Sequence, residues 1–278
     1  MRLLWAGVLA LLTATPALAE CPPAETMAAA AEGWLAGERL PDPAVSSIQD
    51  AACAYNSYRA ALQAELGEPV GYKVGFTSKP AQERFGVTAP VAGALFADMI
   101  LQDGAEVSLQ GSRSPFYEAD LVVTVADEAI NAAQTREDVA RSLSDVRPFI
   151  ELPDMALAEG VAPTGPIMAA YGVIPWRGVM GQGIALSDLS DPVRNLAELT
   201  VELRADGQSV AEGRGDMLLG HPLDVVLFLT RQGTTLEPGQ VISLGSLSPL
   251  VEATPGIALS ADYSIDGKPM TVSATLTD

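Results

Sequence analysis

Glu118 and Asp120 stand two residues apart in SPFYEADLVVTV (Ser114–Val125), just ahead of an apolar, β-branched run. On a strand, residues i and i+2 share a face. Two carboxylates therefore project side by side from an element that otherwise reads as core. Two readings fit: a strand whose polar face meets solvent, or a site for a hard divalent cation, which takes oxygen ligands. Glu151 closes a second short strand-like run, RPFIEL (Arg147–Leu152), and is a possible third ligand or an ordinary strand-end acid. Lys73 lies in GYKVG, where Gly71, Lys73 and Gly75 share a face and the glycines leave room for a ligand to approach the backbone. A solvated strand lysine is the plainer alternative. Asp98, in LFADM, is another acid in an apolar strand, or a capping or turn aspartate. His221 is the sole histidine and sits at a helix start, where a side chain can satisfy free N–H groups. Gly-x-Ser-x-Gly, Gly-x-Gly-x-x-Gly and P-loop motifs are absent, which leaves no support for a serine triad or a nucleotide cradle.

The elements that must position these residues follow from periodicity. Ala24–Leu40 and Ser46–Leu66 read as helices, the second with Ile48, Ala52, Tyr55, Tyr58 and Leu62 at helical spacing and Gly67 at its end. Short β-like runs cover Val70–Phe76, Val91–Ile100 and Ala119–Ala126. The spacing predicts a helix over Arg136–Val146 and a strand over Arg147–Leu152. Ala158–Pro192 is rich in Gly, Pro and Ala and supports no assignment. Leu199–Gly213 and Ala258–Leu276 read as β-hairpins turning at Asp206-Gly207 and Asp266-Gly267. Between them, Gly220–Gly233 is a helix with Pro222 in its first turn. The mixture is α+β with a rolled or barrel-like sheet.

Composition bounds the partners. With 278 residues, 48% hydrophobic and 18% charged, the chain can bury a substantial core. A net charge of -19 repels phosphate backbones and argues against nucleic acid. It also repels an anionic substrate unless a local cation or metal reverses the field. Arg2, the apolar Leu3–Leu12 and Ala17-Leu18-Ala19 read as a signal peptide cleaved after Ala19, which predicts an exported protein, periplasmic or secreted. No other segment is long and apolar enough to span a membrane. Two cysteines in an exported chain, Cys21 and Cys53, suggest one disulfide tying the mature N-terminus to the second helix, with two independent thiols as the alternative. Their spacing to His221 fits no zinc pattern.

Taken together, these pieces resemble a known family. GYKVGFTSKPAQERFGVTAPVAGALFADM (Gly71–Met99) is similar to the corresponding segment of 2-keto-4-pentenoate hydratases, of the fumarylacetoacetate hydrolase superfamily. The order continues with Glu118-Ala119-Asp120, PFIEL, GRGDMLLGHPLDVVLFL (Gly213–Leu229) and LEPGQVISLGSLSPLV (Leu236–Val251), so the resemblance runs from about Ile48 to near the C-terminus. It implies a fumarylacetoacetate-hydrolase-like distorted β-roll in a single domain over residues 20–278, with a helical and mixed part to residue 100 and the β-roll from 101. It implies Mg2+ or Mn2+ held by Glu118, Asp120 and Glu151, with Lys73 and Asp98 as active-site residues. The implied reaction is hydration of a 2-hydroxy-2,4-dienoate anion to a 4-hydroxy-2-keto acid, in a homo-oligomer. Decarboxylation of a 2-keto dioate or C–C hydrolysis of an acylpyruvate would use the same metal site, and an exported keto-acid-binding homologue without turnover is a further alternative. Two departures from the family pattern stand out. Asp120 replaces the more usual Glu, and Pro163–Trp176 lacks the Asn and Ser expected in the hydratase pocket.

Overall fold

The computed structural model describes residues 21–278. Its helices are α1 (Ala24–Leu35), α2 (Ile48–Leu66), α3 (Lys79–Phe85), α4 (Arg136–Arg141), α5 (Gly165–Ala170), α6 (Pro192–Glu198) and α7 (Pro222–Arg231). Its strands are β1 (Gly71–Gly75), β2 (Val91–Leu95), β3 (Ile100–Gln102), β4 (Ala105–Ser108), β5 (Phe116–Val125), β6 (Leu143–Leu152) and β7 (Arg177–Met180). They continue with β8 (Ile184–Ala185), β9 (Thr200–Ala205), β10 (Gln208–Arg214), β11 (Val241–Ser246), β12 (Val251–Glu252), β13 (Ala258–Ile265) and β14 (Lys268–Thr277).

The strands form two sheets. The larger runs β2-β1-β11-β5-β6-β7-β3, with β12 added to β5 and β8 to β6; the smaller runs β10-β9-β13-β14-β4. β13 and β14 pack on β6, so the smaller sheet covers one face of the larger. The larger sheet curls as a half-barrel in a mixed α+β fold, as the sequence implies. β1 and β2, which precede residue 101, and β3, which crosses it, are strands of the same sheet as β5 and β6.

Local chemistry sets the frame. Both Asp-Gly turns place positive φ at consecutive residues, 50° and 75° at Asp206 and Gly207 and 51° and 70° at Asp266 and Gly267. That is the geometry that matches hairpin twist. Ser47 and Asp50 close a capping box at the start of α2. The helix expected over 136–146 ends at Arg141, because Leu143 and Val146 are taken into the ladder opposite Val125 and Val123. Pairing with a buried strand overrides helical propensity there. The β-like run Val91–Ile100 breaks after Leu95 into a 3-10 turn over Ala97–Met99. Cys21 and Cys53 lie with Cα atoms 5.6 Å apart, a spacing that a disulfide bond spans. Among the described residues no helix is long and apolar enough to cross a membrane.

Candidate functional site

β5 and β6 pair antiparallel in a register that sets Glu118 directly opposite Glu151. Asp120, two residues along β5, shares the face of Glu118. β11 joins β5 on its other side and β1 joins β11, with Lys73 opposite Ser243. Four buried ionisable side chains thus converge from three strands of one sheet: Lys73, Glu118, Asp120 and Glu151. Lys73 Nζ donates to Glu151 Oε1 and lies 3.4 Å from the carbonyl oxygen of Val173. Asp120 is fully buried. Its Oδ2 accepts from Ser243 Oγ at 2.6 Å and its Oδ1 from the backbone N–H of Gly245 at 3.0 Å. Tyr263 of the smaller sheet donates to the carbonyl oxygens of Asp120 and Phe149, at 2.5 and 3.1 Å, and so ties the backs of β5 and β6 together.

Three carboxylates share one lysine. Burial and the charge of Glu151 push the Glu118 carboxyl well above its ordinary pKa, against the pull of Lys73. Burial and the same Glu151 charge push Asp120 up to about 7, with the Ser243 hydroxyl opposing. Burial would lower the Lys73 pKa, but the charges of Glu151 and Glu118 outweigh it and hold the ammonium above its ordinary value. With all three carboxylates ionised the cluster would carry an excess of negative charge; burial opposes this by favouring protons on Glu118 and Asp120, and a bound cation would take the place of those protons. Among the described residues no three His, Cys, Asp or Glu side chains already stand in metal-holding geometry. Asp120 is turned to Ser243 and Gly245, and Glu151 is engaged by Lys73. The donor set nevertheless suits a hard divalent cation, since it is all oxygen, and Glu118 and Glu151 open onto one cavity.

That cavity measures about 630 Å³, counting space open to solvent, and Lys73, Glu118, Glu151, Ser246 and Val173 line it. Asp98 is not part of it. The 3-10 turn after β2 leaves Asp98 exposed beside Trp34, Trp176 and Arg177 in a different cavity, and its carbonyl oxygen accepts from Arg177 at 2.9 Å. The expectation for Asp98 is corrected accordingly: where β2 ends in the 3-10 turn, the structure places it in that other cavity and not beside the carboxylates. His221 is a helix cap, whose Nδ1 accepts from the Leu223 N–H at 3.1 Å while Nε2–H donates to the Val193 carbonyl at 2.8 Å. Gly75, on the same face as Lys73, serves a purpose besides the expected one. A Cβ on Gly75 would stand 2.6 Å from Val173 Cγ1, so this glycine admits the turn after α5 as well as lining the cavity. Val173 itself gave no signal in the sequence, because it lies in the unassigned stretch and adopts φ 57°, a conformation that β-branched residues rarely take.

Residues 53–274 match the fumarylacetoacetate (FAA) hydrolase C-terminal family. The chain is 29% identical to 2-keto-4-pentenoate hydratase 1 of Dechloromonas aromatica, over 82% of this chain and 86% of that protein. It is 32% identical to 2-hydroxyhexa-2,4-dienoate hydratase of Comamonas testosteroni, over 70% of this chain and 75% of that protein. Its fold matches 4-oxalocrotonate decarboxylase from Pseudomonas putida G7, complexed with magnesium and adipate, with a TM-score of 0.77 at 24% identity, covering 91% of this chain and 97% of that one. These findings overturn the expectation of export. The relatives are named as hydratases of 2-keto-4-pentenoate and 2-hydroxyhexa-2,4-dienoate and nothing in the match supports a signal peptide; the segment in question, ending at Ala19, lies outside the described residues. By the match over most of its length, the chain belongs to the fumarylacetoacetate hydrolase family.

Proposed function

We propose that this chain is a divalent-metal-dependent hydratase of 2-hydroxy-2,4-dienoates, producing 4-hydroxy-2-keto acids. The observation that carries the reading is a buried cluster of three carboxyl groups to one lysine, with Glu118, Glu151 and Lys73 lining one cavity and Asp120 buried behind them. The two hydratase relatives support the reaction type. Glu118 and Glu151 would hold Mg2+ or Mn2+, with Asp120 as third ligand, directly or through a water that makes up its shorter reach. When bound, the ion supplies Lewis-acid stabilisation of negative charge on the substrate's 2-oxygen.

The chain's own groups do the rest. Lys73, held as a cation, attracts the substrate anion into an otherwise negative cavity and stabilises the negative charge that builds during tautomerisation. Its raised pKa keeps it a cation, and its hydrogen bond to Glu151 fixes where that charge stands. Tyr263 and the Ser243 hydroxyl fix Asp120 from behind and keep β5 and β6 in register.

A second reading is decarboxylation of a 2-keto dioate, favoured by the fold match to the decarboxylase. C–C hydrolysis is disfavoured, because His221, the sole histidine, is committed to capping α7. The test is loss of ultraviolet absorbance of 2-hydroxypenta-2,4-dienoate with Mg2+ or Mn2+. Metal-dependent loss giving 4-hydroxy-2-oxopentanoate supports the reading; no loss with a 2-keto dioate consumed instead sinks it. We also propose that Cys21 and Cys53 form a disulfide in oxidised protein, which thiol titration before and after reduction checks.

A further inference from the structure

The cavity beside the carboxylates does not end at them. Its far wall is made of Phe76, Phe85, Met155, Met168, Val173 and Leu250. Through Phe85, Ser246 and Leu250 it continues into an outer chamber walled by Pro80, Met217, Leu219 and Pro249. The wall is built under constraint. Among the described residues seven non-glycines have positive φ, and three of them present large apolar side chains here: Phe76 at 59°, Val173 at 57° and Leu219 at 52°. Such conformations persist only where the surroundings enforce them, and they cluster at functional sites. The enforcing contacts are present. Gln82 Nε2 donates to the Phe76 carbonyl at 2.9 Å, the Leu219 N–H donates to the Thr77 carbonyl at 2.7 Å, and the Phe76 ring packs on Phe85 with centroids 4.9 Å apart.

We propose that this wall selects the end of the substrate remote from its 2-oxo acid group, and that the group it takes is uncharged and apolar, an alkyl or aryl substituent, in preference to a second carboxylate. The inference rests on the reading of the chain as an enzyme of 2-hydroxydienoates or 2-keto acids. A second carboxylate in the inner cavity would leave water for no cation of its own, with only the hydroxyls of Thr77, Ser78 and Ser246 among the lining side chains to meet it. Lys73 is the sole cationic side chain lining that cavity, and Glu151 already engages it. The carboxylates of Glu118 and Glu151 repel a further anion. Lys79 and Arg84 reach the outer chamber from α3, but the Lys79 side chain is 86% exposed with Glu83 3.9 Å away, and Arg84 lies over the Phe85 ring. Solvated charges of that kind hold a ligand weakly.

The test is calorimetric binding of unreactive saturated 2-oxo acids to the Mg2+-loaded full chain: 2-oxopentanoate, 2-oxohexanoate, 5-phenyl-2-oxopentanoate and 2-oxohexanedioate. The expected result is a roughly fourfold gain in affinity per added methylene, further gain with the phenyl group, and 2-oxohexanedioate at least tenfold weaker than 2-oxohexanoate. Leu250→Arg, at a half-buried loop position bordering both spaces, should narrow that ratio about tenfold, with Leu250→Met keeping the wild-type series as the folding control. A flat series, or a dioate that binds as tightly as its monoacid, overturns the proposal. Turnover of 2-hydroxydienoates is read separately. Turnover with a flat series removes the apolar wall's role and leaves the reaction. A rising series without turnover removes the reaction and leaves the wall, and absence of binding by every acid removes both.

Discussion

Two buried charge clusters sit along the same pair of strands, one within the β5–β6 ladder and one at its end. Just past the ladder, Arg113 and Asp154 pair one to one. Asp154 Oδ2 accepts from Arg113 Nη1 at 3.2 Å, and its oxygens also accept from the backbone N–H groups of Arg113 and Ser114. The guanidinium donates further to the carbonyls of Glu38 and Trp34 and lies over the Trp34 ring. Each charge there is matched and its hydrogen-bonding capacity is used. Within the ladder, three carboxylates face one ammonium. Burial is equally deep in both, so burial alone does not mark the functional cluster. The mismatch in charge does, because a balanced cluster needs nothing from solution and an unbalanced one favours a cation.

The same chemical change should therefore act oppositely on the two clusters. Glu118→Gln should reduce metal-dependent turnover by about a thousandfold, roughly 4 kcal/mol of transition-state stabilisation, and abolish the rise in melting temperature that Mg2+ or Mn2+ gives the wild type. In metal-free protein at pH 8 it should raise the melting temperature by a few degrees, since it removes an acid whose ionisation burial and the Glu151 charge oppose. A fall in that temperature would mean the cluster is balanced without metal. Asp154→Asn should instead destabilise by about 3 kcal/mol, because it strands a buried guanidinium, with metal affinity kept within a few fold. Thermal unfolding with and without Mg2+ reads both. Loss of metal binding in Asp154→Asn would erase the distinction between the clusters.

Lys73→Met sharpens the contrast from the cationic side. Deleting the cation from an over-negative cluster should tighten metal binding several-fold while turnover falls about a hundredfold. A merely structural lysine would show neither the tightening nor the split between binding and turnover. Calorimetric titration with Mn2+ beside steady-state kinetics distinguishes the two.

What the sequence made legible follows the range of the interactions involved. The Asp206-Gly207 and Asp266-Gly267 hairpins were readable because a turn is decided within four residues. The shared face of Glu118 and Asp120 was readable because strand periodicity is local. The juxtaposition of Glu118 with Glu151, 33 residues apart in the chain, is a matter of register between strands; the residues alone left Glu151 either a third ligand or a strand-end acid, and the family resemblance chose between them. Asp98 failed for a local reason: LFADMI alternates poorly, and the chain turns at Ala97 to hand β2 on to β3. Val173 failed for the opposite reason. Its residue type argues against the left-handed conformation it adopts, and only contact with β1 across Gly75 explains it.

His221 offers the smallest test, on a single ionisable group that must stay neutral. Burial, aided by the nearby Arg136, lowers its pKa below the ordinary 6.5, while the Val193 carbonyl, Asp224 and Glu137 oppose. With Nδ1 accepting from the Leu223 N–H, protonation there would break the cap of α7. A lowered folded pKa means that the unfolded chain binds the proton more readily. The contribution of this cap to stability is then fully present above pH 6.5 and declines as pH falls through 6.5 toward the folded pKa. An N-cap is worth about 1 kcal/mol, or about 2–4 °C in a chain of this size. His221→Asn keeps a capping side chain that does not titrate. Between pH 8 and pH 5 the wild type should therefore lose about 2–4 °C more than His221→Asn, both measured in saturating Mg2+ so that the carboxylate cluster contributes equally. Equal losses would mean that His221 is not held neutral by its surroundings.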